Sequence, residues 1–231
     1  MPIAVLRFPG TNNEKDILQA LSAIPGVRAY LVTSHQGPHA LKEATGIVIP
    51  GGFSYGDYLR AGAVAAAAEV MDGIRDAAAE GRPVLGICNG FQILAEAGLL
   101  PGVLLPNESA RFVCRWVHLR VSSRSSMFTR GLEDAIIRLP IAHGEGNYHC
   151  DAEELRRLTR SERVVFRYCN RDGEVVDEAN PNGSVHSIAG VINAQGNVMG
   201  MMPHPERASR KQLGSTDGMR ILENFVEACL C

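Results

Sequence analysis

A cysteine flanked by glycines directly after an apolar run constrains the fold of this chain more than any other feature. Residues 83–85 (PVL) predict a buried strand, residues 86–90 (GICNG) follow, and residues 90–97 predict a helix. This is the spacing of the nucleophile elbow G-x-S-x-G, with sulfur in place of oxygen. The turn is tight, so a Cβ at Gly86 or Gly90 would clash with the neighbouring strand or helix. The sequence therefore predicts a Cys88 thiol at a helix N-terminus, where backbone N–H groups and the helix dipole favour the thiolate.

A histidine and a glutamate near the C-terminus are candidates for the base and for the carboxylate that orients it. Pro205 favours an extended backbone at His204. Residues two apart in an extended chain point to the same side, so we expect His204 and Glu206 to project together. A lone cysteine is usually an inert core residue, and a proline-rich turn often carries a histidine without a function. The two features together favour a triad of Cys88, His204 and Glu206.

Donors for an oxyanion are predicted where two strands end. Active sites in open parallel sheets lie beyond the carboxyl ends of the strands. We expect one donor to be the N–H of Asn89, directly after the nucleophile, and another to come from the Gly52 and Phe53 loop. Glycine there allows the backbone to approach closely, and one such donor contributes roughly 3–4 kcal/mol.

The alternation of elements in the first hundred residues predicts an α/β fold with a parallel sheet covered by helices. Strands are expected at residues 3–7, 28–33, 46–49 and 83–87, with helices over 14–24 and 63–80. Thr11 or Asn12 is expected to cap the first helix, and Gly81 to end the second.

The second half of the chain predicts antiparallel additions to that sheet. Strands are expected at residues 115–121, 136–141 and 164–168, a hairpin at 188–192 and 198–202, and helices over 151–160 and 217–228. No linker or repeat divides the chain, so residues 1–231 are expected to form a single domain.

Composition excludes several classes of protein. The net charge of −2 gives no sign of a nucleic-acid surface. The N-terminus lacks the pattern of a signal peptide, and no apolar run approaches the length of a membrane span. We therefore expect a cytoplasmic protein with reduced cysteines. No cysteine or histidine spacing predicts a metal site, and no phosphate-binding G-x-x-x-x-G-K-[ST] loop is present.

The elbow, residues 50–52 (PGG) and residues 204–206 (HPE) resemble the class I, triad-type glutamine amidotransferases. Further segments are similar to one branch of that family, the glutaminase subunits of phosphoribosylformylglycinamidine synthases. They are residues 7–12 (RFPGTN), 51–60 (GGFSYGDYLR), 107–112 (NESARF), 143–146 (HGEG), 180–184 (NPNGS) and 201–207 (MMPHPER). The resemblance covers essentially the whole chain.

The resemblance implies a mechanism and a set of partners. Cys88 would attack the side-chain amide of L-glutamine, release ammonia and form a γ-glutamyl thioester that water hydrolyses. Gln92, Gly144 and Glu145 would hold the glutamine. Ammonia would pass to a larger synthetase subunit, which uses ATP and Mg²⁺ to convert formylglycinamide ribonucleotide to its amidine, with a small third subunit bridging the two. This chain itself would hold no cofactor or metal.

Two other functions stay open. A stand-alone cysteine γ-glutamyl hydrolase or a peptidase-like relative could use the same elbow, and a regulatory module could keep the fold without activity. Asp57 and Arg60 could form a surface ion pair or contact a partner. Arg111 is expected to be structural or interfacial, and whether His143 lies near the pocket is left open.

Overall fold

The fold is built on a nine-stranded sheet, in a computed structural model that describes residues 1–230; Cys231, the last residue of the predicted domain, lies outside them. The strands are β1 (Pro2–Arg7), β2 (Arg28–Thr33), β3 (Gly46–Ile49), β4 (Val84–Ile87), β5 (Val103–Leu105), β6 (Val113–Val121), β7 (Ile136–His143), β8 (Asn147–His149), β9 (Val164–Cys169), β10 (Ile188–Ile192) and β11 (Val198–Met201). The helices are α1 (Glu14–Ser22), α2 (Ala63–Ala66), α3 (Val70–Ala79), α4 (Asn89–Glu96), α5 (Ala152–Arg160) and α6 (Asp217–Ala228).

The sheet has a parallel half and an antiparallel half, which confirms the predicted fold class. Its strand order is β2-β1-β3-β4-β11-β10-β9-β6-β7. The first five strands in that order run parallel, and β10, β9, β6 and β7 then alternate in direction. The parallel strands β3, β4 and β11 are buried at every position. This burial matches their continuous apolar sequences, because both faces of a parallel sheet are covered.

The pairing of β4 with β11 positions the site. These neighbouring strands are parallel, and their register pairs Ile87 with Met201. Cys88 follows Ile87, and the segment leading to His204 follows Met201. Both segments therefore leave the same edge of the sheet, although more than a hundred residues separate them in the chain.

Two local predictions were wrong, and one small sheet was missed. The helix expected over residues 63–80 is broken into α2 and α3, because α2 packs against α4 whereas α3 packs against the turn at Pro38. Neither Thr11 nor Asn12 caps α1: the N-cap residue is Asn13, which makes no side-chain cap bond, and the Thr11 hydroxyl accepts from the Phe8 N–H. A small second sheet, β5 with β8, was not predicted.

In the part of the chain that the structure describes, no helix has the length and apolar character needed to cross a bilayer.

Candidate active site

Cys88 lies in the strained turn that the elbow motif predicts. Its backbone has φ 51° and ψ −107°, a conformation rare for a residue with a side chain. A Cβ on Gly86 would lie 2.5 Å from Leu94 Cδ1, and a Cβ on Gly90 would press into the carbonyl oxygen of Ile49. The prediction that both positions require glycine is confirmed. Such strain persists only where the surrounding structure enforces it, and it is typical of functional sites.

The thiol of Cys88 is buried between the first turn of α4 and the end of β7. Its Sγ lies 3.6 Å from the carbonyl oxygen of Ala142, and its backbone N–H donates to Met201 O at 2.8 Å. Asn89 is the first residue of α4, where helical N–H groups have no partner within the helix. The geometry therefore leaves the Asn89 N–H free to serve as the predicted oxyanion donor.

His204 and Glu206 form a buried pair, as predicted. The distance from His204 Nδ1 to Glu206 Oε1 is 2.6 Å, and each side chain is almost fully enclosed. His204 is extended, with φ −101° and ψ 95°, but Glu206 lies in a 3-10 turn over Pro205–Ala208. The predicted contact is therefore right, while the reason given for it, a continuous extended segment, is wrong.

Gly51 brings His204 next to Cys88. A Cβ built on Gly51 would lie 2.8 Å from His204 Cε1 and 3.4 Å from Cys88 Cβ, so both side chains close over this glycine. Burial opposes the charged form of His204, yet the carboxylate of Glu206 and the sulfur of Cys88 raise its pKa to about 10. A histidine held in its protonated form favours a thiolate beside it.

The loop after β3 can supply the predicted second donor through Gly52 but not through Phe53. The Phe53 N–H donates to Gly10 O at 3.0 Å and is therefore already engaged. Gly52 lies opposite Thr11 in an isolated antiparallel bridge. The two hydrogen bonds of this bridge are made by the residues on either side, Phe53 N–H to Gly10 O and Asn12 N–H to Gly51 O. The N–H of Gly52 itself therefore points away from the segment that contains Thr11. Gly52 has φ 155°, and a Cβ there would lie 2.7 Å from Thr11 Cα. Only the Gly52 N–H stays a candidate oxyanion donor in this loop.

The residues expected to hold glutamine come together through side-chain amides. Gln92 Nε2 donates to Glu145 O at 2.6 Å, and its Oε1 accepts from Asn89 Nδ2 at 2.9 Å. The Ser54 N–H donates to Asn89 Oδ1 at 3.0 Å. Gln92 thus connects α4 to the turn containing Gly144 and Glu145. Both polar atoms of its amide are bound to protein, and a direct bond from Gln92 to glutamine stays a prediction.

Asp57 and Arg60 do not form the ion pair that was considered. Arg60 makes a two-pronged contact with Glu96, at 2.7 and 2.6 Å. Asp57 faces Glu145 instead, and burial together with that carboxylate raises the pKa of Asp57 to about 6. The guanidinium of Arg111 is exposed, and its backbone carbonyl accepts from Asn107 Nδ2 at 2.8 Å.

His143 lies at the site, buried beside the triad. Its Nδ1 is 3.0 Å from Asn107 Oδ1, and its Nε2 is 3.5 Å from Asn182 Nδ2. Burial lowers the pKa of His143 to about 4, and the charge of His204 acts in the same direction. His143 is thus neutral and held by two amides. Asn107 and Asn182 belong to the family-like segments 107–112 and 180–184, but the sequence did not predict that both would contact His143.

Asn13 is the one site residue that sequence reasoning missed completely. It is 2% exposed and contacts both His204 and Glu206. The family-like segment at residues 7–12 ends one position before it, and the neighbouring Thr11 and Asn12 were given a role only as candidate helix caps. Among residues 1–230, no three His, Cys, Asp or Glu side chains come together as metal ligands would.

Comparison with known proteins places this geometry in a family. Residues 1–220 match the CobB/CobQ-like glutamine amidotransferase domain. The chain is 53% identical over 225 residues to the phosphoribosylformylglycinamidine synthase subunit PurQ of Pyrococcus horikoshii, covering 97% of this chain and 96% of that protein. It is 50% identical over 228 residues to PurQ of Methanosarcina barkeri, with 98% and 97% covered.

Solved structures agree. A chain in the structure of PurLQS from Thermotoga maritima superposes with a TM-score of 0.85 at 42% identity, covering 98% of this chain and 97% of that chain. A putative GMP synthase component from Thermoplasma acidophilum superposes with a TM-score of 0.60 at 16% identity, covering 100% of this chain and 94% of that chain, and shares the fold alone.

Proposed function

This chain belongs to the family of CobB/CobQ-like glutamine amidotransferase domains, and we propose that it is the glutaminase subunit of a phosphoribosylformylglycinamidine synthase. The single observation that carries the proposal is the position of Cys88 in a strained elbow, beside the buried pair of His204 and Glu206, in a chain about half identical to PurQ along its length. We assign the whole of residues 1–231 to this one glutamine amidotransferase domain.

The first half-reaction forms a thioester on Cys88. The thiolate attacks the side-chain carbonyl carbon of L-glutamine, and the N–H groups of Asn89 and Gly52 stabilise the oxyanion. His204, protonated and oriented by Glu206, gives its proton to the leaving nitrogen, which departs as ammonia. The C–N bond is broken, a C–S bond is formed, and a γ-glutamyl enzyme is left.

The second half-reaction restores the thiol. His204, now neutral, takes a proton from water, and the resulting hydroxide attacks the thioester carbonyl. The C–S bond breaks, glutamate leaves, and the sulfur returns as a thiolate beside protonated His204. The Nε2 atom of His204 is buried and is the ring nitrogen that is not bound to Glu206, and the ring interacts with the Cys88 sulfur, which leaves this atom available for both proton transfers.

The substrate pocket is assigned to the segments that meet around Cys88. Gly144 and Glu145, tied to Gln92, form one wall, and the Gly52 and Phe53 loop forms another. The Phe53 ring is exposed beside the Phe112 ring, with 6.3 Å between their centroids. Glutamine would enter past these rings, and its side-chain amide would reach the thiol.

The ammonia is consumed on a partner chain. The solved relative from Thermotoga maritima belongs to a PurLQS assembly, and we assign to this chain the same association with a larger synthetase and a small third component. ATP and Mg²⁺ belong to the synthetase in this scheme, and this chain carries neither. The cytoplasm, where thiols stay reduced, is the compartment that suits a Cys88 nucleophile.

The experiment that tests the proposal is glutamate release from L-glutamine. The rate of the purified chain is compared with its rate in the presence of the synthetase, the small third component, formylglycinamide ribonucleotide and ATP. We expect slow release from the chain alone and a large rise in the assembly. Fast release that the partners leave unchanged would instead favour the stand-alone hydrolase, and no release in either condition would favour the regulatory module.

A further inference from the structure

Asn13 stands at the N-cap of α1 but does not act as a helix cap. Its side chain makes no cap bond and turns away from the helix toward the catalytic pair. Asn13 Nδ2 lies 3.3 Å from Glu206 Oε1 and 3.1 Å from His204 Nδ1. Asparagine is among the best N-cap residues, so a side chain that gives up this stabilisation is held in place for another reason.

The orientation of this amide is set by Arg207. Arg207 Nη2 lies 2.7 Å from Asn13 Oδ1. A guanidinium can only donate, so the oxygen of the amide must face Arg207 and the NH₂ group must face Glu206. The amide cannot flip without placing two donors against each other.

Two donors then converge on one carboxylate oxygen. Glu206 Oε1 lies 2.6 Å from His204 Nδ1 and 3.3 Å from Asn13 Nδ2. A carboxylate accepts only, so both nitrogens donate to it. Nδ1 of His204 therefore carries a hydrogen, and the lone pair of the neutral ring is on Nε2, the ring nitrogen that does not face Glu206. Asn13 thus supports the tautomer that the mechanism requires.

The backbone of Asn13 reaches the other half of the site. Its N–H donates to Gly51 O at 3.2 Å, which holds the peptide whose nitrogen is the Gly52 N–H. Since a peptide is planar, fixing the carbonyl oxygen also fixes the direction of that N–H. Asn13 therefore contacts both Glu206, which orients His204, and the loop that carries the proposed Gly52 oxyanion donor.

We propose that Asn13 is a positioning residue of this active site: its side-chain amide holds Glu206 so that His204 keeps the Nδ1–H tautomer, and its backbone holds the Gly51–Gly52 peptide. The inference rests on the proposed function. Other charged groups also act on the pair: Cys88 and His143 face His204, and Asp16 and Arg210 line the cavity of about 270 Å³ behind Glu206.

The decisive variant is Asn13→Asp, compared with Asn13→Ala. Aspartate has nearly the same shape and still accepts from Arg207, but it has no NH₂ group to donate to Glu206. Asn13→Asp also sets a second carboxylate against Glu206, whereas Asn13→Ala removes the donor without adding charge, so an effect shared by both variants is assigned to the lost donor. Asn12→Ala is the matched control, since Asn12 is the same residue type, one position earlier, with an exposed side chain.

Glutamine turnover is measured in the complete assembly. We expect both Asn13 variants to lower kcat by about 10- to 100-fold, the range found when a residue that orients a metal-bound histidine is lost. KM should change little, because Asn13 does not face the substrate. Asn12→Ala should match the wild type. Wild-type kcat in Asn13→Asp, with an unchanged unfolding temperature, would overturn the proposal.

A second readout does not depend on turnover. Alkylation of Cys88 by iodoacetamide, measured against pH on the chain alone, reports the protonation of His204, which interacts with this sulfur. Asn13→Ala removes the donor that competes with His204 for Glu206 Oε1, and Asn13→Asp adds a negative charge beside the pair, so we expect the His204 titration to move to higher pH in both variants. An unchanged profile would overturn the proposal. If no protein hydrolysed glutamine, the proposed function would fail, yet this profile would still decide the role of Asn13.

Discussion

The catalytic wall and the mouth of the site differ in how they are built. In the wall, Cys88, His204 and Glu206 are buried and held by β4, β11 and the turn after them. At the mouth, Tyr58 and Leu59 are 76% and 88% exposed, on a loop that leaves the sheet after β3. All three triad residues of the wall come from this one chain, whereas the loop at the mouth exposes two large apolar side chains to water.

The loop at the mouth also carries backbone strain. Tyr55, Asp57 and Leu59 have φ of 53°, 54° and 69°, in the left-handed region that favours glycine. Strain and exposed apolar surface together are typical of a surface that another protein covers. We therefore predict that this loop contacts a partner chain, while the buried triad lies within this chain.

Replacing His204 by alanine has the largest expected effect and tests the wall. The variant should fold but lose glutamine hydrolysis by roughly 10²–10⁴-fold, the contribution of a positioned acid and base. Steady-state glutamate release measures the loss. His149→Ala, an exposed histidine on β8, is the control and should keep its rate. A near-normal rate for the His204 variant would remove this residue from the mechanism.

Gly90→Ala should damage the wall by overpacking. The added Cβ would press into Ile49 O, which is backbone and cannot move aside without displacing β3. We expect the free energy of unfolding to fall by about 1–3 kcal/mol, measured by denaturant titration. Gly98→Ala is the control at the end of the same helix: nothing lies near its Cβ, and only the cost of its left-handed backbone should appear. Equal losses in the two variants would contradict the elbow geometry.

His143 joins the wall to the substrate turn and should make stability depend on pH. Its pKa is about 4 in the folded state and near 6.5 when unfolded, so the unfolded chain binds the extra proton between these values. Neutral His143 therefore contributes fully to the free energy of unfolding above pH 6.5, and this contribution is lost as the pH falls toward 4.

Between pH 7 and 5 the loss should be on the order of 2 kcal/mol in the wild type. Unfolding titrations at the two pH values, repeated on His143→Gln, isolate the contribution. A wild-type loss no larger than that of the variant would show that His143 is not buried in its neutral form.

Leu59→Ser should have the smallest effect on the chain itself, and it tests the mouth. The unfolding free energy should stay within about 0.5 kcal/mol, as for other exposed positions. Association with the synthetase, measured by calorimetry, should weaken. Leu230→Ser, a leucine 73% exposed after α6, is the control and should change neither quantity. Unweakened association of the Leu59 variant would place the interface elsewhere.

The wall could be predicted from sequence because each of its parts has a local cause. Gly86 and Gly90 are required by the turn at Cys88, and the apolar runs of β4 and β11 require burial on both faces. The common edge of a parallel sheet was expected to gather Cys88 and His204, although the pairing of β4 with β11 was not itself predicted. Local rules of this kind are what a single sequence contains.

The rest of the site depends on contacts between distant segments. Asn13 was given no role from the sequence, and only the folded chain shows its amide against Glu206, 193 residues away. Arg60 pairs with Glu96 rather than with the nearby Asp57, and the Phe53 N–H is engaged by Gly10 O. A short polar side chain can bond to any surface that the fold presents, and spacing along the chain does not reveal which one.

The most direct test of the account is the assembled synthase carrying Cys88→Ala, assayed once with L-glutamine and once with added ammonia as nitrogen donor. Cys114→Ala, an exposed cysteine on β6, serves as the control. The account predicts that amidine formation from glutamine disappears, that formation from ammonia continues at the wild-type rate, and that the control supports both. Loss of both activities in the Cys88 variant would contradict the division of labour between this chain and its partner.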